Sequence, residues 1–125
     1  NNTKVLFDTA DELGVTTVLD TELAAMTVRE AAERALAAVE GDRPIHLSID
    51  LDVLPAAVAP GVSAPAGFGV EYAMLRAMVA AVASTGRVAL LDVVELNPDF
   101  DVDNRTAKAA ARLIDDAVVG AKLRG

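Results

Sequence analysis

The carboxylates at the ends of two apolar segments are the residues of this chain best suited to chemistry. Asp50 and Asp52 close one such segment, and Glu95 directly follows another. In open parallel sheets, ligands bind at the carboxyl ends of the strands. Because side chains alternate along a strand, Asp50 and Asp52 are predicted to point to the same side, within reach of one hard cation. Two carboxylates do not make a tight metal site, so this spacing by itself favours a solvated strand end or a turn cap.

The scarcity of histidine and cysteine limits the other kinds of site. With no Cys and one His, disulfides, thiolate metal sites, cysteine nucleophiles and sites built from two histidines are excluded within these 125 residues. His46 lies inside an apolar segment, four residues before Asp50. We predict that His46 is a structural residue with a hydrogen-bond partner and not a ligand at the strand end.

The composition predicts a single domain with an aliphatic core. The 125 residues are 53% hydrophobic and 24% charged, but only 3% are aromatic. The formal net charge of −8 argues against nucleic acid or an anionic membrane surface as the main partner, because both bind basic faces. No apolar run approaches the ~20 residues that span a bilayer, and residues 1–4 lack the features of a signal peptide. We therefore expect a cytoplasmic protein.

Hydrophobic periodicity predicts helices that alternate with strands. Helices are expected at residues 3–13, 28–39, 72–83 and, after a cap at Asp103 or Asn104, up to about residue 123, and strands at residues 15–19, 45–50 and 87–94. Thr27 and Glu30 have the spacing of a capping box. The last helix is predicted to carry an apolar stripe of Ala107, Ala111, Ile114 and Val118. The order αβαβαβα predicts an α/β fold with a mostly parallel sheet.

Proline and glycine residues interrupt the chain between residues 51 and 69, so regular structure is not expected there. Long irregular segments inside compact domains are often functional. This segment directly follows Asp52, and we expect it to form part of the site.

Two sequence blocks together resemble the arginase, agmatinase and formimidoylglutamase family of binuclear manganese hydrolases. The first block is Ser48-Ile49-Asp50-Leu51-Asp52, followed by Ala56, Pro60-Gly61 and Gly69. The second block is Val94-Glu95-Leu96-Asn97-Pro98, followed by Asp101, Thr106-Ala107 and Ala111-Arg112-Leu113. The resemblance extends over residues 45–114. It implies a three-layer α/β/α arginase-like fold, with residues 1–125 as the C-terminal part of one such domain.

Within that family, the sequence looks most like those of the formimidoylglutamases. Residues 50–55, 58–65 and 105–108 carry this likeness. Arginases and agmatinases usually have Asp-Pro at the position of Pro55-Ala56 and Thr-Pro at the position of Ala64-Pro65. The implied reaction converts N-formimidoyl-L-glutamate and water to L-glutamate and formamide, a step of histidine degradation. Agmatinase or another guanidino hydrolase is the alternative.

The resemblance also assigns roles to individual residues. Asp50 and Asp52 match the last two metal-ligand aspartates, one of which bridges two manganese ions. Glu95 matches the acidic residue that holds the cationic amidine of the substrate, and a planar cation is well held by a carboxylate. Ser63 lies in the segment that matches the substrate-side loop, where we expect it to contact the substrate's carboxylate. Two metal ions would activate a water molecule for attack on the amidine carbon.

The family's other metal-ligand motifs are not found in this sequence. These are a His after paired glycines and an Asp-x-His-x-Asp motif. We therefore expect the chain to be a fragment whose partners are the N-terminal part of the same enzyme and, when complete, further copies in a trimer or hexamer. Alone, it is expected to bind manganese weakly and to be inactive.

Two other classes of protein share some of these features. A haloacid-dehalogenase-type phosphatase has a strand ending in Asp-x-Asp, but it prefers Thr or Val where this chain has Leu54, and Lys108 is a poor candidate for its lysine. A non-enzymatic α/β binding module accounts for acidic strand ends but not for the Pro/Gly segment or the block at residues 94–98. Phosphatase activity on an aryl phosphate with magnesium would be expected only of the first.

Overall fold

Five helices and two strands are present in residues 3–122, which the computed structural model describes. They are α1 (Lys4–Glu12), α2 (Asp20–Leu23), α3 (Val28–Ala38), β1 (Ile45–Asp50), α4 (Tyr72–Ala83), β2 (Val88–Val94) and α5 (Arg105–Lys122). A 3₁₀ turn, Leu51–Val53, directly follows β1, and another, Pro98–Phe100, lies between β2 and α5.

Strands β1 and β2 pair in parallel. Ile49 lies opposite Val93 and Asp50 opposite Val94, so the two strands end side by side. The chain crosses from one strand to the next through residues 51–71 and α4, because parallel neighbours need a long connection. The carboxyl ends of both strands therefore lie at one edge of the sheet, with Asp50 in the last pair and Glu95 immediately after it.

Helices α4 and α5 pack against one face of this sheet. The core contains Ile49 of β1, and Leu51, Leu54 and Leu113 in it are completely buried. Burial of an aliphatic side chain of this size contributes roughly 1.5–3 kcal/mol, so these residues outweigh any surface contact. Two of them, Leu51 and Leu54, flank Asp52 and fix the start of the irregular segment against the core.

Polar contacts join α4 to α5. The Tyr72 hydroxyl donates a hydrogen bond to the carbonyl oxygen of Ala109, at 2.9 Å. Arg76 donates two hydrogen bonds to the carboxylate of Asp116, at 2.6 and 2.9 Å. The Arg76 guanidinium lowers the pKa of Asp116 below its ordinary value, and burial raises the pKa of the Tyr72 phenol.

Most of the predicted elements are confirmed. Helix α4 and strand β1 have the predicted bounds, α3 and β2 differ from prediction by one residue at one end, and α1 by one residue at each end. The capping box is present, since Thr27 Oγ1 accepts from the Glu30 N–H and Glu30 Oε2 accepts from the Thr27 N–H. The α/β class with parallel strands is confirmed.

The prediction of a strand at residues 15–19 is wrong. This segment has no ladder partner among the described residues, although Leu19 has extended dihedral angles. A β-branched run forms a strand only where a neighbour accepts and donates its backbone hydrogen bonds. The short helix α2 follows it, so the observed order is αααβαβα and not αβαβαβα.

Two predictions about the last helix are also wrong. Its buried residues are Thr106, Ala109, Ala110, Leu113, Ala117 and Gly120, whereas in the predicted stripe Ile114 and Val118 are 43% and 45% exposed. Both stripes have helical spacing, and only packing decides between them. Asn104 directly precedes α5, but the side chain that caps this helix is that of Asp101 and not that of Asp103 or Asn104, because Asp101 accepts from the N–H groups of Thr106 and Ala107. The expected end at residue 123 lies outside the described residues.

The sheet face opposite α4 and α5 is exposed in the described part of the chain. Leu90 is 56% exposed and Val94 is 37% exposed. Parallel sheets are normally covered on both faces. Among residues 3–122, no helix is long and apolar enough to cross a membrane.

Candidate metal and substrate site

Asp50 and Asp52 lie on a tight turn at the end of β1. Asp50 is the last strand residue, and its Oδ1 accepts a hydrogen bond from the backbone N–H of Asp52 at 2.9 Å. Asp52 belongs to the 3₁₀ turn, so the predicted extended geometry between the two aspartates is wrong. The turn nevertheless places both residues in the lining of one cleft of about 610 Å³, together with Val53 and residues 64–67.

One oxygen of Asp52 is buried without a partner. Oδ1 is shielded from solvent and accepts no hydrogen bond. A buried acceptor that is left unsatisfied costs about 1–3 kcal/mol, so it is uncommon unless a ligand or ion completes it. A hard divalent cation prefers such a carboxylate oxygen, and Asp50 next to it supplies a second carboxylate. The pair therefore fits one side of a metal centre.

The described residues do not complete that centre. No group of three or more His, Asp or Glu side chains within residues 3–122 could hold a metal ion. Two carboxylates from one turn leave most coordination positions of a hard cation to other ligands. The structure thus contains part of a ligand set.

Glu95 has an unusual backbone conformation at the end of β2. Its φ is 72°, in the left-handed region that is uncommon for residues other than Gly, Asn and Asp. Such a residue is held there by its surroundings at a cost on the order of 1 kcal/mol, and these residues concentrate at functional sites. The exposed Glu95 side chain stands one residue beyond Val94, which pairs with Asp50.

Asn97 connects the end of β2 to the irregular segment. Its backbone N–H donates to the carbonyl oxygen of Gly61 at 2.8 Å, and its side-chain amide donates to Ser63 Oγ at 3.1 Å. Gly61 is itself fixed, because its N–H donates to the buried hydroxyl of Thr106 at 2.7 Å. Ser63 and the chain just after Glu95 therefore share one hydrogen-bonded unit.

The four predicted site residues are brought together only in part. Asp50 and Asp52 line the same cleft, and Ala64, the neighbour of Ser63, also lines it. Ser63 and Glu95 do not line that cleft in the described chain. They are linked to each other through Asn97, at the same edge of the sheet.

His46 has a hydrogen-bond partner within its own sheet, as the sequence predicts. Its Nε2 lies 2.6 Å from Asp92 Oδ2, and the Ser48 hydroxyl donates to the other oxygen of Asp92 at 2.5 Å. The Ser48 hydroxyl and His46 together lower the pKa of Asp92 below its ordinary value. Because Ser48 donates to an aspartate and not to His46, this trio is not arranged as a nucleophilic serine with its base.

Asn97 and Asp20 make two long-range contacts near the candidate site that the sequence does not predict. Asn97 accepts the Asp99 N–H at 3.2 Å in the turn at Asn97-Pro98, and its side-chain contact with Ser63 spans 34 positions. Asp20 accepts the N–H of Gly69 at 3.1 Å and borders a second cleft of about 500 Å³. Neither contact has a signal in local spacing, because both depend on how distant segments pack.

The sequence matches a family model and several curated proteins. The model described as the arginase family matches residues 1–120. A formimidoylglutamase of Corynebacterium efficiens is 50% identical over 114 residues, which are 91% of this chain and 36% of the relative. A formimidoylglutamase of Nocardia farcinica is 51% identical with the same coverage. The chain thus spans about a third of the length of these relatives.

Solved structures of related enzymes have the same fold. A formimidoylglutamase from Bacillus subtilis superimposes with a TM-score of 0.88 at 27% identity, covering 98% of this chain and 39% of that one. An arginase from the same species gives 0.83 at 26% identity, covering 92% and 40%. A hypothetical agmatinase from Burkholderia thailandensis gives 0.78 at 34% identity, covering 91% and 36%.

Proposed function

The chain belongs to the arginase family, and on this premise we propose that it is part of a formimidoylglutamase. The proposed reaction is hydrolysis of N-formimidoyl-L-glutamate to L-glutamate and formamide, a step of histidine breakdown. Identity of about half with curated formimidoylglutamases over 91% of the chain is the observation that carries this substrate. The relatives are about two and a half times as long as this chain, so the activity proposed is that of a longer protein, of which these residues would form the C-terminal part.

Asp50 and Asp52 would hold manganese in this enzyme. The partnerless buried oxygen of Asp52 and the adjacent Asp50 carboxylate suit a hard cation, and carboxylates suit manganese. Two manganese ions, when bound, supply Lewis acidity and an activated water molecule. Further ligands would come from outside the described residues.

Glu95 would bind the amidinium group of the substrate. A carboxylate can accept two parallel hydrogen bonds from a planar cation of this type. The left-handed backbone conformation at Glu95 sets the direction of its side chain. The backbone hydrogen bond of Asn97, two residues later, anchors this part of the chain. This orientation would hold the amidine carbon at the sheet edge, where Asp50 and Asp52 line the cleft. Ser63, beside that cleft, is the candidate contact for a substrate carboxylate.

A guanidino hydrolase such as an agmatinase is the second candidate. The hypothetical agmatinase from Burkholderia thailandensis is more similar in sequence than the solved Bacillus formimidoylglutamase, at 34% against 27%. Both reactions use the same carboxylate pair and the same acidic residue for a planar cation. They differ in the remainder of the substrate, because agmatine has an ammonium group where formimidoylglutamate has carboxylates.

Parallel assays of the manganese-loaded, full-length protein test this proposal. We expect release of glutamate and formamide from N-formimidoyl-L-glutamate, and a loss of at least about a hundredfold in kcat for Asp52→Ala, since an essential ligand is removed. The matched control is Asp42→Ala, which removes an exposed carboxylate that precedes the amino end of β1, whereas Asp50 and Asp52 lie at its carboxyl end. Urea from agmatine without release of glutamate from the amidine would contradict the proposed substrate and favour the second candidate.

A further inference from the structure

The hydrogen-bond partners of Asn97 show which end of its side-chain amide is the oxygen and which is the NH₂ group. Its Oδ1 accepts the backbone N–H of Asp99 at 3.2 Å, and a backbone amide can only donate. The opposite end is therefore the NH₂ group, which faces Ser63 Oγ at 3.1 Å. Because that NH₂ group can only donate, the Ser63 oxygen must act as the acceptor.

The hydrogen of the Ser63 hydroxyl is consequently directed away from Asn97. A serine hydroxyl has one hydrogen to donate, and within residues 3–122 the structure gives that hydrogen no acceptor. Ser63 is exposed and directly precedes Ala64, which lines the cleft together with Asp50 and Asp52. A hydrogen-bond donor is thus presented beside the cleft.

This donor stands out in an acidic environment. Asp50, Asp52 and Glu95 all lie at this edge of the sheet, and each favours cations over anions. Once Asp50 and Asp52 hold manganese, Glu95 remains a negative charge at this edge, and an anionic group of a substrate needs a donor to offset repulsion from it. Among the described residues, the Ser63 hydroxyl is a neutral donor beside the cleft, where it could bind an anionic group of the substrate.

We propose that Asn97 is a positioning residue that keeps the Ser63 hydroxyl as a donor, so that the site prefers amidines carrying a carboxylate. The inference rests on the proposed function and specifies how its substrate is chosen. Glu95 would take the cationic end of the substrate and Ser63 an anionic end. Asn97 fixes the position of Ser63 relative to Glu95, because its backbone N–H donates a hydrogen bond to Gly61, in the same segment as Ser63.

The variant Asn97→Asp isolates this effect. Aspartate still accepts the Asp99 N–H, but it has no donor, so the Ser63 hydroxyl must turn and donate to it. Ser63→Ala removes the donor directly. Asn104→Asp is the matched control, because it adds the same charge at an exposed left-handed position where Asp is also tolerated.

The experiment compares N-formimidoyl-L-glutamate with N-propylformamidine, which has an amidine and no carboxylate. The measured quantity is the ratio of kcat/KM for the two substrates in the full-length, manganese-loaded protein. We expect Asn97→Asp and Ser63→Ala each to lower this ratio about tenfold, mainly through KM, corresponding to about 1.4 kcal/mol. The double variant is expected to match Ser63→Ala alone, and Asn104→Asp to keep the wild-type ratio.

Two results would overturn this inference but leave the proposed function intact. One is an equal loss on both substrates, which would indicate a general structural role for Asn97. The other is a double variant clearly worse than Ser63→Ala, which would mean that the new charge acts without the hydroxyl. Failure of the wild-type protein to release glutamate would instead overturn the proposed function and this inference with it. Thermal denaturation of each variant separates loss of folding from loss of selectivity.

Discussion

The buried, unpartnered oxygen of Asp52 is expected to lower the stability of the metal-free protein. Asp52→Ala removes an acceptor that has no hydrogen bond in the described chain. We expect the metal-free protein to become more stable by about 1 kcal/mol, because the desolvation cost of that oxygen disappears. Manganese should stabilise the wild type and have little effect on the variant, since binding to the native state raises the melting temperature only where the site exists. Thermal melts with EDTA and with manganese measure both effects.

Asp42→Ala is the control for that experiment, because Asp42 is exposed. It should leave both melting temperatures close to those of the wild type. A destabilised metal-free Asp52→Ala protein would show that Oδ1 has a favourable partner after all.

The candidate carboxylates could be identified from the sequence, but their arrangement in space could be predicted only in part. Asp50, Asp52 and Glu95 could be chosen from their places after apolar segments and from the resemblance of two sequence blocks. The tight turn at Asp52 could not, because alternation along a strand assumes that the strand continues. The contact between Asn97 and Ser63 depends on the packing of a loop 34 residues away, which no local pattern encodes.

At the scale of elements, Gly69 fixes the irregular segment against the turn after β1. Its φ is +81°, and an added Cβ would lie 2.7 Å from the backbone nitrogen of Pro55. We expect Gly69→Ala to destabilise the protein by about 3 kcal/mol, from a left-handed backbone and an overlap with main-chain atoms that cannot move aside. Chemical denaturation measures the change.

Gly14 provides a matched control. It has a similar φ of +71°, but an added Cβ would meet nothing within 4 Å. Gly14→Ala should therefore show only the backbone cost of about 1 kcal/mol. Equal losses for the two variants would argue that the close approach at Gly69 is not important.

The Asp116 carboxylate links α4 to α5 and should make stability depend on pH. Arg76 lowers the pKa of Asp116 in the folded protein below its unfolded value of about 3.9. The resulting stabilisation is present above the unfolded pKa and is lost as the pH falls through the lowered folded value. We expect Asp116→Asn to cost about 1 kcal/mol near neutral pH.

Unfolding free energies of wild type and Asp116→Asn, compared at neutral pH and at pH values below about 3, check this expectation. The difference between the two proteins should shrink toward acid, because protonation removes the same charge from the wild type. A difference that stays constant with pH would assign the effect to packing and not to ionisation.

Elements with strong local signals were predicted well, and those that depend on neighbours were not. Thr27 and Glu30 define the start of α3 by contacts three residues apart, so the sequence suffices. Residues 15–19 have strand propensity, but no described segment pairs with them. In α5, two apolar stripes compete, and the contact with α4 at Gly120 selects the one that is buried.

At the scale of the whole molecule, the described chain leaves apolar and polar surface uncovered. Leu90 and Val94 are exposed on the sheet face that carries His46 and Asp92, and both strands have an unpaired edge. The matched relatives are about two and a half times as long as the chain. The ligand set is incomplete in the same way, since Asp50 and Asp52 lack further ligands among residues 3–122.

The 125-residue chain on its own should therefore bind manganese only weakly. Two carboxylates leave most of the coordination shell to water, so we expect a dissociation constant well above micromolar. Isothermal titration with manganese, with Asp50→Asn as a control for the site, measures it. Micromolar or tighter binding that Asp50→Asn abolishes would mean that these residues already contain a complete metal centre.

The hydroxyl contact between Tyr72 and Ala109 offers a label-free optical signal. Tyr72 is the single tyrosine of the chain, which has no tryptophan, so its emission comes from one known place. That place is the seam between α4 and α5, where the ring also lies 5.9 Å from the Arg76 guanidinium. Separation of the two helices would expose the phenol to water and restore its ordinary ionisation. Intrinsic ultraviolet spectroscopy of this chain can therefore report on one helix pair without any introduced dye.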